Sequence, residues 1–356
     1  MARIIRSWRC TWTCAFSAIA LLAVLVHFGG YCRGDVVTNC AFEIWYDVIG
    51  PEVHIGHVSP VHHVDEATRG VFRVPETING KPVRKLDMRC FSGQTWLESV
   101  EVPQGINLSL RQFWGCTNLL SAFVSGSVGN AAFYNCRRLQ KVTMGVGTHY
   151  IGSGAFANCI NLTTVVLPEE MPHGQYNFGV NTFGNCRSLQ EIIVPKGVSR
   201  IGEGAFGGCF SLRKVNLPDG VASIDRAAFH GCFELSEITF HDGLLEIGES
   251  AFGGCRSLVC VSFPSGLGKI GPLAFEGCTG LLWVLFEGDA PECGTGIFRG
   301  TGENLTVVVR QGSTGWGEDF NGRLPDKWHN RRIRYFKPKE DTYALRSEGP
   351  RKNDEE

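Results

Sequence analysis

The chain has 356 residues, of which 43% are hydrophobic and 19% charged, with a formal net charge of −1. That composition supports a sizeable core and excludes a mostly disordered chain. The charge balance argues against a protein that grips a nucleic-acid backbone, which carries a basic surplus or stripe. Glycine (45) and cysteine (15) are in excess, yet no Gly-X-Y period is present, so collagen is excluded as well.

At the amino end, Arg3, Arg6 and Arg9 precede an apolar run from Ala15 to Val26. The run is shorter than the roughly 20 residues that span a bilayer and has the length of a secretory h-region. With Cys32 and Gly34 at the small-residue positions, residues 1–34 are expected to be a signal peptide whose removal leaves Asp35 first. The remaining chain then holds 30 basic and 35 acidic residues, net −5, and has no later segment apolar enough to span a membrane. Residues 35–74 contain short β-rich runs such as Phe42 to Tyr46 and are expected to form an N-terminal cap.

Next comes a repeat aligned on Phe91, Phe113, Phe133, Phe156, Phe183, Phe206, Phe229, Phe252, Phe275 and Phe298, with a dominant spacing of 23. Cysteine follows three residues after the phenylalanine in eight consecutive copies, from Cys116 to Cys278, and leucine six residues after it in nine, from Leu97 to Leu281. Two further apolar positions, a Pro-x-Gly turn and an Ile-Gly step complete the clearest copies. In Leu212-x-x-Val215-x-Leu217 the final alternation has period two, so Val215 and Leu217 point inward and Asn216 outward. Pro218 and Gly220 turn the chain. Phe206, Cys209 and Leu212, at three-residue steps, fit a short helical turn. One unit cannot bury its apolar face alone and must stack on its neighbours. The predicted fold is a repeat solenoid: a right-handed, leucine-rich-repeat-like rod of about ten 23-residue rungs, with a parallel β-sheet and short helical turns.

The segments IGEGAFGGCFSLRKVNLPDGV at 201–221 and IGESAFGGCRSLVCVSFPSGL at 247–267 resemble the BspA-like (Treponema-type) leucine-rich repeat family. The resemblance covers about residues 75–310. VFRVPETINGKPVRKLDMRCF at 71–91 is similar to the opening repeat such proteins often carry. GSTGWGEDF at 312–320, with Trp328 and Ile333-Arg334-Tyr335, looks like a closing segment over 311–336. Weaker copies depart from the pattern: Gln94 and Thr301 stand where cysteine is expected, and Phe113 to Phe133 lacks the Pro-x-Gly turn. Residues 337–356 are charged, nearly without apolar residues, and read as a disordered tail. The resemblance implies a non-enzymatic cell-surface or secreted role, often attachment to host or neighbouring cells.

Candidate chemistry is sparse. Eight cysteines share one repeat column and are best explained as small buried groups. Cys40, Cys90, Cys260 and Cys293 lie off it and are the better disulfide candidates. Gly202-Glu-Gly204-Ala-Phe-Gly207 matches a dinucleotide-binding pattern but is the repeat itself, outside any βαβ unit. No nucleophile elbow, P-loop or zincin motif occurs, and no cofactor is implied. Asn107, Asn161 and Asn304 lie in N-x-S/T sequons. His54, His57, His62 and His63, with Glu52, Asp65 and Glu66 nearby, are weak metal-ligand candidates against the simpler reading of a solvated hairpin.

A binding surface is the better candidate. The outward strand column reads Glu101, Phe123, Thr143, Val166, Ile193, Asn216, Thr239, Ser262 and Leu285, with Trp283 beside it. Phe123, Val166, Ile193 and Leu285 are apolar groups that alternation places outside; the competing explanation is β-propensity alone. The four-residue insertion within Glu169 to Phe178 is a second candidate, since solenoid insertions emerge as loops. The expected function is an exported protein presenting this surface to a protein or glycan partner, not to nucleic acid. The alternative is a structural, envelope-associated repeat protein without a defined ligand.

Overall fold

A computed structural model describes residues 21–23, 35–38, 42–60, 70–171, 176–317 and 327–336. The chain divides into two compact units, 1–168 and 169–356, and each is a stack of β rungs. The predicted cap positions that fall between these ranges, most of the predicted signal peptide, and the predicted tail lie outside the described residues.

Alternation sets the strand faces. In the first unit Val71–Arg73, Ser99–Val102, Ser121–Val124, Lys141–Met144 and Thr164–Val166 form a five-stranded parallel sheet. Phe72, Val100, Ala122 and Val142 point inward and are buried. The second unit repeats this sheet through Glu191–Ile193, Lys214–Asn216 and Glu237–Ile238, and again through Cys260–Phe263, Trp283–Phe286 and Thr306–Val309. The Ile-Gly step forms a separate six-stranded parallel sheet there, from Tyr176–Phe178 to Glu292–Cys293. Each full rung therefore contributes two short strands joined by turns.

The segment from phenylalanine to leucine is not helical, which corrects the predicted helical turns; no helix occurs among the described residues. Three-residue steps are met instead by successive tight turns: Cys209 N–H donates to Phe206 C=O at 3.1 Å and Leu212 N–H to Cys209 C=O at 3.1 Å. A helix cannot continue because the positions two before and two after each phenylalanine have positive φ in all ten rungs. Glycine or asparagine always fills the second of these, as in Asn185 (φ 59) and Gly231 (φ 74). The first tolerates Arg111, Ala131 and even Leu273, although a β-carbon there costs about 1–2 kcal/mol.

Rung-to-rung bonds offset that cost. Gly204, Phe206 and Gly208 donate their N–H groups to the carbonyls of Arg226, Ala228 and His230 in the next rung, at 3.0, 2.8 and 2.8 Å. Beneath this ladder the phenyl rings stack, at 5.3 Å and 5° for Phe206 and Phe229, and 5.0 Å and 8° for Phe113 and Phe133. Such pairs contribute about 0.5–1.5 kcal/mol each beyond their burial.

Both ends are covered by non-repeat structure. Phe42–Ile49 and Glu52–Pro60 form an antiparallel hairpin, and Lys81–Leu86 pairs with its second strand in parallel. Asp35–Thr38 pairs with Phe42–Ile49, and Leu21–Ala23, within the apolar run, pairs with Asp35–Thr38. At the carboxyl end Arg331–Tyr335 pairs with Thr306–Val309. Trp316 is fully buried and meets Phe286 and Trp328 edge-on at 4.8 and 4.9 Å.

Two glycine substitutions separate backbone strain from collision. A β-carbon on Gly231 meets only ordinary contacts, whereas on Gly202 it would lie 2.2 Å from the Phe178 carbonyl oxygen. Gly231→Ala is therefore expected to lower unfolding stability by about 1 kcal/mol, and Gly202→Ala by clearly more, about 2 kcal/mol or above. Denaturant midpoints of the two variants check this order.

Candidate functional site

The outer face of each sheet is set by the same alternation that fills the core. In the first unit, register places Arg73, Glu101, Phe123, Thr143 and Val166 in one row across the five strands. Arg73 and Glu101 form an ion pair at 2.7 Å. Phe123 is 40% exposed and Val166 45%. The parallel row carries Ser99 and Ser121, whose hydroxyls are 2.9 Å apart. The face thus has polar pairs at one side and unpartnered apolar groups further along.

In the second unit Ile193 stands beside Asn216, and Thr239 directly follows the next strand, Glu237–Ile238; all three are exposed, Ile193 at 67%. The adjacent row is charged, with Lys214 and Glu237 paired at 3.0 Å. Trp283 and Leu285 do occupy outer positions of Trp283–Phe286, but Leu285 is only 8% exposed. This corrects its assignment to the accessible surface. The guanidinium of Arg334 sits 4.9 Å over the Trp283 ring, two strands away, so its side chain crosses the outer face beside Leu285 and Val308. Alternation fixes which face a residue occupies and says nothing of what lies across it.

The insertion is not simply a projecting loop. Phe178 is 2% exposed and packs edge-on against Phe183 and Phe206 at 5.7 and 5.6 Å. Phe178-Gly179 is the Ile-Gly step of its rung, with phenylalanine replacing isoleucine at the head of the buried column that continues through Ile201 and Ile224. That substitution hid the match in the sequence. Residues 172–175 lie outside the described part.

Among the other candidates, His57 lies against Trp45 with ring centroids 5.0 Å apart, and burial lowers its pKa. His54 stands opposite Asp47 across the hairpin. Among the described residues no three His, Cys, Asp or Glu side chains converge to hold a metal; His62 and His63 lie outside them. Cys40 also lies outside. Cys90, Cys260 and Cys293 are free thiols, which runs against their reading as disulfide partners. Cys90 is buried and accepts a hydrogen bond from Gln112 Nε2 at 3.0 Å. Cys260 and Cys293 occupy different sheets and cannot face one another.

The repeated thiols are more than space-filling groups. Cys209 donates its S–H to the Phe183 carbonyl at 3.2 Å, Cys232 to Phe206 at 3.2 Å and Cys255 to Phe229 at 3.3 Å. Each thiol thus reaches the phenylalanine carbonyl of the preceding rung. At the final rung Arg331 Nη2 takes over, donating to the Phe298 carbonyl at 2.8 Å. Burial pushes Cys159 and Cys209 up to about 12, and backbone hydrogen bonds only partly oppose it. These groups are neutral donors at physiological pH, not nucleophiles.

Two consequences are measurable. Because burial raises these thiols above the ordinary value of 9.0, the folded chain holds their protons more tightly than the unfolded chain does. Stability should be level below pH 9 and fall as pH rises from 9 toward 12; denaturant midpoints at pH 8 and pH 10 test the sign. Alkylation of native protein should modify half-buried Cys260 and Cys293 while sparing the column from Cys116 to Cys278 until denaturant is added, as mass mapping would read.

The model for the BspA type leucine rich repeat region matches residues 75–178 and 176–305, in six copies. A comparison with curated proteins finds no match. Among solved structures, a leucine-rich repeat protein of T. pallidum is 24% identical, with 60% of this chain and 87% of that one covered at a TM-score of 0.40. A leucine-rich cell surface protein of Faecalibacterium prausnitzii is 19% identical, covering 88% and 98% at 0.38. A leucine-rich repeat protein of Bacteroides ovatus is 19% identical, covering 83% and 98% at 0.33.

Proposed function

Matched over 75–305, the chain belongs to the BspA-type leucine-rich repeat family, and we propose that it is an exported surface protein that holds a macromolecular partner, protein or glycan, on the outer strand faces of its units. The observation that carries the proposal is the exposure of Phe123, Val166 and Ile193 at positions where the solenoid itself needs no apolar group. Burying a side chain of this size contributes about 1.5–3 kcal/mol, so a partner covering these groups gains what the free protein forgoes. Asn216 and Thr239 beside Ile193 supply exposed polar groups for orientation. Trp283 and Leu285 join this surface only where a partner displaces or extends the Arg334 contact.

Export is supported by the basic amino end and the twelve-residue apolar run, and no helix among the described residues is long and apolar enough to cross a membrane. Nothing in the repeat pattern supplies a nucleophile paired with a base, so the reading is non-enzymatic. The candidate disulfides have no part in it.

Phe123→Ser, Val166→Ser and Ile193→Ser combined should abolish capture of the partner from the organism's surroundings, with an unchanged melting temperature because none of the three is buried. Capture that survives all three substitutions rules out these faces. Amino-terminal sequencing of protein recovered outside the cell should begin at Asp35; an intact Met1 start there would contradict processing.

A further inference from the structure

The turns of the first unit differ in charge from those of the second. From Val102 to Pro168 there is no aspartate or glutamate, while Arg111, Arg137, Arg138 and Lys141 are present. In the second unit several cations meet acids of a neighbouring rung, Arg200 with Asp225 at 2.6 Å, Arg213 with Glu234 at 2.8 Å and Lys269 with Glu246 at 3.2 Å, while Arg187 and Arg256 lie over the Phe210 and Phe233 rings at 5.3 and 4.7 Å. In the acid-free rungs the guanidinium groups have only amides. Arg137 Nε donates to Asn135 Oδ1 at 2.9 Å and Arg138 Nη1 to Asn118 Oδ1 at 3.3 Å, both exposed. An amide satisfies a donor and neutralises no charge.

The same turns carry outward aromatic groups. Trp114 is 40% exposed, and Tyr134 occupies the same position one rung on. Gly115 N–H donates to the Tyr134 carbonyl at 2.9 Å, which holds the two residues in rung register, about 4.8 Å apart along the stack. Arg111 precedes Trp114 by three residues in its rung, and Arg137 and Arg138 follow Tyr134 by three and four in the next. Aromatic groups at that interval, flanked by guanidinium groups without an acid partner, match a chain of sugar rings bearing anionic groups. The rings stack on Trp114 and Tyr134, and the arginines, held by the Asn118 and Asn135 carbonyl oxygens, take sulfate or carboxylate oxygens. An acidic peptide is the poorer fit, because this surface is built of turns and offers no strand edge to an extended backbone.

We propose that the acid-free turns around Trp114, Tyr134, Arg137 and Arg138 bind an anionic polysaccharide. The proposal uses none of the outer strand residues Phe123, Val166 and Ile193, so the two readings can fail independently.

The test uses the full chain with three probes at physiological salt: heparin as a sulfated polysaccharide, neutral dextran, and poly-L-glutamate. Heparin is expected to bind at least about tenfold more tightly than either of the others. Arg137→Gln with Arg138→Gln should weaken heparin binding about tenfold and reduce its dependence on salt. Trp114→Ala should weaken it several-fold with the salt dependence unchanged, and all variants should melt with the parent. Phe123→Ser with Ile193→Ser should leave heparin binding intact. Absence of heparin binding, heparin binding untouched by the arginine and tryptophan variants, or poly-L-glutamate binding as tight as heparin with Trp114→Ala without effect would each overturn the proposal.

Discussion

The structure depends on keeping the backbone of the phenylalanine turns bonded once it is buried. A buried carbonyl without a donor costs about 1–3 kcal/mol, and every rung brings several such groups against its neighbours. The left-handed residues on either side of each phenylalanine lay alternate N–H groups along the stacking direction, where the next rung's carbonyls receive them. The phenylalanine carbonyl also takes a thiol from the following rung, as Phe206 does from Cys232. A cysteine suits that place because it is small, apolar enough for full burial and still a weak donor. Where the repeats stop, the Thr301 hydroxyl and Arg331 together donate to the last phenylalanine carbonyl, that of Phe298. The closing segment is thus a chemical terminus as well as a hydrophobic cover.

Much of this was legible in the sequence, because a repeated column exposes its own constraint. The inward phenylalanine, cysteine and leucine columns, the two-residue strand alternation and the parallel stacking all follow from register. The turn conformation did not. Helical turns and successive tight turns share a three-residue step, and the feature that separates them is a positive φ. Glycine advertises that conformation at Gly204, but Arg111, Ala131 and Leu273 adopt it without any such mark. Their strain is accepted because the rung-to-rung bonds on both sides determine the backbone. A single atypical residue likewise concealed the Ile-Gly step at Phe178.

The surface was legible only in part. Period two correctly placed Phe123, Val166 and Ile193 outside. It also placed Leu285 outside, where a side chain from two strands away crosses the same face. Local pattern carries direction, and long side chains from non-adjacent strands are invisible to it. The off-column cysteines show the same limit: their distance from the repeat suggested pairing, yet Cys260 and Cys293 lie on separate sheets.

A stack of this kind leaves little freedom inside and much outside. Any change to the phenylalanine or thiol columns disturbs two neighbouring rungs at once, since each ring and each S–H belongs to a contact between rungs. Outer positions leave the buried columns untouched, so charge and aromatic character can shift from one rung to the next at small cost to stability. The second unit uses that freedom for ion pairs between rungs, as in Lys214 with Glu237 and Lys269 with Glu246. Exposed pairs contribute about 0–1 kcal/mol each, too little to explain their regularity as stabilisation alone. Their larger effect is to leave the face electrically balanced. Rungs that lack the acids keep their cations open to an external anion. With the scaffold held constant, the distribution of acids among outer columns decides which turns are self-satisfied and which are available.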